Sequence, residues 1–167
     1  MTSNSKTRIS KNLEEKSILV TRIFNAPLTA VWRAYTESEL LDQWWGPEPW
    51  RAETKHMDFS EGGYWLYAMV GPDGTRHWAR MDYKDIVPQQ TIVGEDGFCD
   101  EDGHLIPTMP VNKWVNQFTE TDGATRVDHI LTFETLDGLQ AIVDMGFEAG
   151  ISIGLDQLET LLSKQNL

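Results

Sequence analysis

The sequence predicts an α+β domain: a curved antiparallel β-sheet wrapped around a long C-terminal helix, with two short helices between strands 1 and 2. Three observations predict it. From residue 51 to 136, runs rich in β-branched and aromatic residues alternate with tight-turn signals, as in an antiparallel meander. Ahead of them, one β-branched run is followed by two short helical patterns. Behind them, residues 137–164 carry a helical period without proline.

Each element has its local reason. "SILVTRIF" (17–24) is the first strand, and "APLTAVWRAYT" (26–36) the first helix, with Pro27 suited to a first helical turn. Thr36 and Glu39 form a capping-box pattern that would open the second helix, and Gly46-Pro47 end it. The stretch "LLDQWWGPEPW" holds three of the seven tryptophans, which would pin this helix pair onto the sheet. Core packing is favoured over ligand contact for them. "RAETKHMDF", "YWLYAMV", "TRHWARMDYKDIV", "QTIVGEDGF", "NKWVNQFTE" and "TRVDHILTFET" are the remaining strands. Pro-Asp-Gly and Asp-Gly supply hairpin turns, because proline presets φ and glycine accepts positive φ.

The segment 1–15 is polar and reads as a flexible lead-in to a single domain over 16–167, the size of one hydrophobic core. Fourteen basic against 26 acidic residues give a net charge of −12, which disfavours nucleic acid and anionic bilayers as partners. No apolar run reaches the ~20 residues of a membrane span, so no membrane insertion is expected. The single cysteine, Cys99, rules out an internal disulfide and a cysteine-based metal site, and suits a cytoplasmic protein.

No strong catalytic signature is present. "DEDG" (100–103) fails as a calcium loop, since Phe98 and Pro110 would occupy its first and last ligand positions. His56, His77, His104 and His129 lack metal-ligand spacing. His77 and His129 are in phase with inward strand residues, and a satisfied core histidine is the favoured reading of both. Gly146, Gly150 and Gly154 recur every four residues on one helix side. At ~1 kcal/mol each against alanine, they imply close packing on a strand or a space kept open between helix and sheet. Spacing leaves both readings standing. Trp65, Tyr67 and Met69 share one strand face, and with Tyr83, Trp114 and Phe118 could form an aromatic-lined surface.

Taken together, "FNAPLTAVWRAYTESELLDQWWGP", "MDFSEGGYWLYAMVGPDG", "YKDIVPQQTIV", "DEDGHLIPTMP", "TDGATRV" and "MGFEAGISIGLDQLETLL" resemble the activator of Hsp90 ATPase homologue branch of the START, or birch-pollen-allergen-like, superfamily. The resemblance spans residues 18 to 163. It implies the helix-grip fold and a cavity for an apolar or amphipathic, lipid- or polyketide-like molecule, with no cofactor. It carries over no catalytic residue. The chain departs from the pattern at Gln90-Thr91, where an arginine is expected, and on the outward phase of the third strand. There Tyr64, Leu66, Ala68 and Val70 suggest a covered face and a possible homodimer through it.

The leading expectation is a binding module lined by Trp45, Trp65, Tyr67, Tyr83, Trp114, Phe118, His129, Phe147 and Gly150. The alternative is a cyclase or hydrolase using His129 or Asp85 as acid or base. A role as an Hsp90-associated regulator rests on the family name alone.

Overall fold

The structure is a computed structural model and describes residues 6–164. Residues 1–5 of the expected lead-in, and 165–167, lie outside the described residues. Eight strands form one antiparallel sheet: β1 (Arg8–Asn12), β2 (Ser17–Phe24), β3 (Arg51–Met57), β4 (Tyr64–Val70), β5 (Arg76–Val87), β6 (Thr91–Cys99), β7 (Val111–Thr121) and β8 (Ala124–Phe133). Their order is β1-β2-β8-β7-β6-β5-β4-β3, so the meander β3–β8 is joined to the first hairpin by β2 pairing with β8. Between β2 and β3 lie α1 (Leu28–Thr36) and α2 (Ser38–Trp44); α3 (Leu136–Asp144) and α4 (Phe147–Lys164) follow β8. This is the helix-grip arrangement: α4 lies against the helix pair and the concave sheet, which register shifts in β3 and β5 help to bend.

Four expectations need correction. Residues 8–12 of the supposed lead-in pair with β2 as a strand. They are tied down further by Arg22, a buried side chain whose Nη1 donates to Thr7 Oγ1 and Asp156 Oδ1, both at 2.8 Å. The capping box is not made. The residue before α2 is Glu37, without a side-chain cap, and Thr36 Oγ1 instead donates to the Trp32 carbonyl at 2.9 Å. The C-terminal helix is two helices rather than one, because Gly146 takes φ +91° and turns the chain between them. Gly146 is therefore there for its backbone freedom.

The fourth concerns the outer face of β4. Leu66, Ala68 and Val70 are each at most 3 % exposed within the single chain. The loop after β6 folds back over them. Arg80 lies 4.2 Å above the Tyr64 ring and donates to the Gly103 carbonyl at 2.9 Å, while Lys55 donates to the Glu101 carbonyl at 2.7 Å. The apolar outward phase is covered intramolecularly, and the argument for a homodimer through this face falls. In the same loop, Asp100 Oδ1 accepts from the backbone N–H groups of Asp102 and His104, so its carboxylate closes its own turn.

A candidate ligand cavity between helix and sheet

The concave face of the sheet divides into two ends. Under α1 it is solid. Val20, Phe24, Val31 and Val127 are fully withdrawn from solvent, and Phe118 packs edge-on against both Tyr35 and Trp32 at 5.1 Å. His129, 0 % exposed, sits within this packing. Its Nδ1–H donates to the Val20 carbonyl at 2.9 Å, which leaves Nε2 to accept from the Tyr35 hydroxyl at 2.7 Å. Burial pushes its pKa down to about 4, so the ring is neutral and both nitrogens are satisfied.

Under α3 and α4 the sheet and helices part, leaving a cavity of about 210 Å³. Trp45, Pro47, Tyr67, Trp114 and Phe147 supply much of its apolar wall, and His77, exposed on β5, stands at its rim. The two remaining glycines explain why the gap exists. A Cβ on Gly150 would have Pro47 Cγ at 3.7 Å as its nearest neighbour, so that position faces space. A Cβ on Gly154 would lie 3.4 Å from the Trp44 carbonyl oxygen, so that position packs on backbone. One glycine seats α4 on α2; the next one up leaves room. Gln157 fixes the seat, donating to the Trp44 and Gly46 carbonyls at 2.9 and 2.8 Å.

Of the residues expected to line the site, Trp45, Tyr67, Trp114, Phe147 and Gly150 do so. The other four belong to the packing around it. Trp65 stacks behind Tyr67 at 4.0 Å, Tyr83 packs on Phe59 at 4.8 Å, and Phe118 and His129 lie in the solid end. Alternation correctly identifies the inward face of each strand, but position along the strand decides which end a residue reaches. Asp85 is exposed beside the β5 bulge, so neither acid or base suggested by the sequence reaches the cavity.

The group that does was missed. Asp96 pairs in register with Met81 and Asn112, in the same inward phase as Ile92, Gly94 and Phe98, and enters the wall with Asn112. The alternation of "TIVGEDGF" carries that signal, which the acidic and glycine residues on either side of the aspartate mask. Burial raises its pKa to about 7, and the Trp114 indole and Asn112 amide pull it back only in part. Geometrically, Asp96 Oδ1, Asn112 Oδ1 and Trp114 Nε1 are all buried without a hydrogen-bond partner among the described residues. Tyr67 is nearby; its hydroxyl accepts from Trp45 Nε1 at 3.0 Å, and burial together with Asp96 raises its pKa.

Comparison with known proteins fits this geometry. Residues 25–163 match the family model described as activator of Hsp90 ATPase homolog 1-like protein. The chain belongs to this family. Protein Ms6760 from Mycobacterium smegmatis is 31 % identical, with TM-score 0.88 over 96 % of this chain and 99 % of its own. A solution structure from Arthrobacter aurescens is 29 % identical, with TM-score 0.89 over 95 % and 92 %. CalU16 from Micromonospora echinospora, at 18 % identity and TM-score 0.61 over 94 % and 85 %, shares the fold. Among curated proteins, none matches. Among the described residues no helix is long and apolar enough to cross a membrane.

Proposed function

We propose that this family member is a cytoplasmic binding protein for an apolar or amphipathic small molecule held in the cavity under α3 and α4. The observation that carries this is a gap of about 210 Å³ walled by aromatic side chains, opposite a helix position where glycine leaves space. A dry cavity of ~150 Å³ accepts a benzene ring. The volume therefore suits one short chain or a small ring system. A ligand burying roughly 200 Å² of apolar surface would gain about 5 kcal/mol gross. Association costs consume much of that, so the polar groups in the wall decide affinity and selectivity.

Native mass spectrometry of freshly purified protein, paired with titration by the neutral fluorophore prodan, tests the reading. A co-purified small molecule, or saturable prodan binding that quenches tryptophan emission, is expected. Bare protein mass together with no prodan binding would overturn it.

A second reading, a cofactor-independent cyclase or hydrolase, is favoured by one observation. A cavity carboxyl with a pKa of about 7 is poised to exchange a proton near neutral pH. That role would belong to Asp96, in place of His129 or Asp85.

A further inference from the structure

We infer that the cavity takes a molecule whose buried end is a hydrogen-bond donor, a primary ammonium group on an apolar body, and that Asp96 and Asn112 receive that end. The inference rests on the binding reading above and gives it a ligand class. Two acceptor atoms, Asp96 Oδ1 and Asn112 Oδ1, are buried in the wall without partners among the described residues. They stand on neighbouring strands in direct register, so they flank one point of the cavity. A buried carboxylate is costly unless paired and hydrogen-bonded. No lysine or arginine contributes to the described wall, so this chain supplies no internal counter-charge there.

An ammonium group answers the two acceptors and the charge, while Trp114 Nε1–H, the donor of the same wall without a partner among the described residues, favours the ionised form of Asp96 that the cation needs. It offers three donors and one positive charge to a carboxylate and an amide oxygen. The aromatic faces of Trp45, Trp114 and Phe147 in the same wall suit a cation as well as an apolar body. At longer range, the net charge of −12 raises the local concentration of cations around the protein. A carboxylate ligand meets the opposite conditions. Its charge would face that of Asp96 with no lysine or arginine in the described wall, so free fatty acids are the disfavoured class. Burial holds the Asp96 carboxyl near the midpoint of its titration at neutral pH, and an arriving cation would draw it to the ionised form.

Calorimetric titration of the full chain at pH ~8 with octylamine, octanol and octanoate tests the assignment, with prodan as the reference ligand. Octylamine should bind at least tenfold more tightly than octanol, with octanoate weakest. Asp96→Asn should shrink the gap between octylamine and octanoate at least tenfold. Octanoate binding as tightly as octylamine, while prodan still binds, would overturn the ammonium assignment and leave the binding reading intact. Full selectivity retained in a folded Asp96→Asn protein would equally overturn it. If prodan and all three chains fail to bind, the cavity reading itself falls and takes this inference with it. Should Asp96→Asn not fold, the wild-type ranking alone decides.

Discussion

The two ends of the concave face are built from similar residues and reach opposite outcomes. At one end, His129 is a buried polar group with both nitrogens engaged, under a helix whose side chains fill the space. At the other, Asp96 is a half-buried polar side chain with one oxygen buried and unengaged, opposite a helix position that lacks a side chain. The first arrangement spends its polar chemistry on the fold. The second holds it in reserve, because an unsatisfied buried acceptor costs stability that a ligand, a water or a proton can return. Between these two residues, completeness of hydrogen bonding marks a difference that hydrophobicity does not.

The largest expected effect breaks the core where α2 joins the solid end to the cavity. Trp44 is 0 % exposed, packs against Tyr35 and Trp45 at 4.9 and 5.4 Å, and donates its Nε1–H to the Ala34 carbonyl at 2.9 Å. Trp44→Ala should cost ~3–5 kcal/mol in a urea melt. Phe147→Ala, on the half-buried cavity wall, should cost less than half as much. Equal losses would mean that the cavity wall is as tightly packed as the core.

How far this difference could be read from the sequence depends on the kind of signal. The identity and meander order of β3–β8 followed from local alternation and turn chemistry, because the side-chain period of a strand is set by its own backbone. The break at Gly146 was illegible, since a glycine with positive φ and a glycine inside a helix look alike in a proline-free pattern. The strand at 8–12 was hidden for a different reason. Apart from Ile9 its residues are polar and its pairing is backbone hydrogen bonding, so its sequence resembles a loop. At the site, the wall residues Tyr67 and Trp114 and the packing residues Trp65, Tyr83, Phe118 and His129 all lie in the inward phase of their strands. Only the placement of α1 and α4 over the sheet separates them, and that is a tertiary fact. The glycines show the same limit: spacing could not tell that Gly154 touches backbone while Gly150 faces space.

A smaller effect sharpens the comparison through pH. His129 has a folded pKa of about 4 against the ordinary 6.5, so the folded state holds fewer protons in that interval. Its contribution is present above pH ~6.5 and is lost as pH falls towards 4. Asp96 behaves oppositely. Its folded pKa of about 7 lies above the ordinary 3.8, so the folded state holds more protons and stability is lost as pH rises through that interval. Each is on the order of 3 kcal/mol, that of Asp96 reduced by the solvent that reaches the cavity. Between pH ~4 and ~6.5 the two slopes largely cancel. Asp96→Asn should remove the falling one. The variant should be more stable than the wild type at pH ~8 by up to about 3 kcal/mol, and should lose stability steadily on acidification below ~6.5. Parallel melting profiles for the two proteins across this range would show that Asp96 is solvated like a surface carboxylate.

The smallest effect concerns the two glycines of α4, and it separates packing from binding on adjacent turns of one helix. Gly150→Leu places its side chain beyond Pro47, where a Cβ meets only an ordinary 3.7 Å contact. The leucine should occupy the cavity, hold or slightly raise the melting temperature, and weaken prodan binding at least tenfold, about 1.4 kcal/mol. Gly154→Leu places the same side chain against the Trp44 and Trp45 carbonyl oxygens, which a Cβ would already touch at 3.4 and 3.6 Å, so the rest of the leucine has to enter space held by backbone. That clash should cost roughly 1–3 kcal/mol by overpacking. It outweighs the ~1 kcal/mol that replacing an interior helical glycine returns. The folded fraction of Gly154→Leu should still bind prodan. The two variants therefore predict a crossed result: one loses ligand and keeps stability, the other loses stability and keeps ligand. If Gly150→Leu is destabilised as much as Gly154→Leu while binding normally, both glycines serve helix packing, and the space above Pro47 is not where the ligand sits.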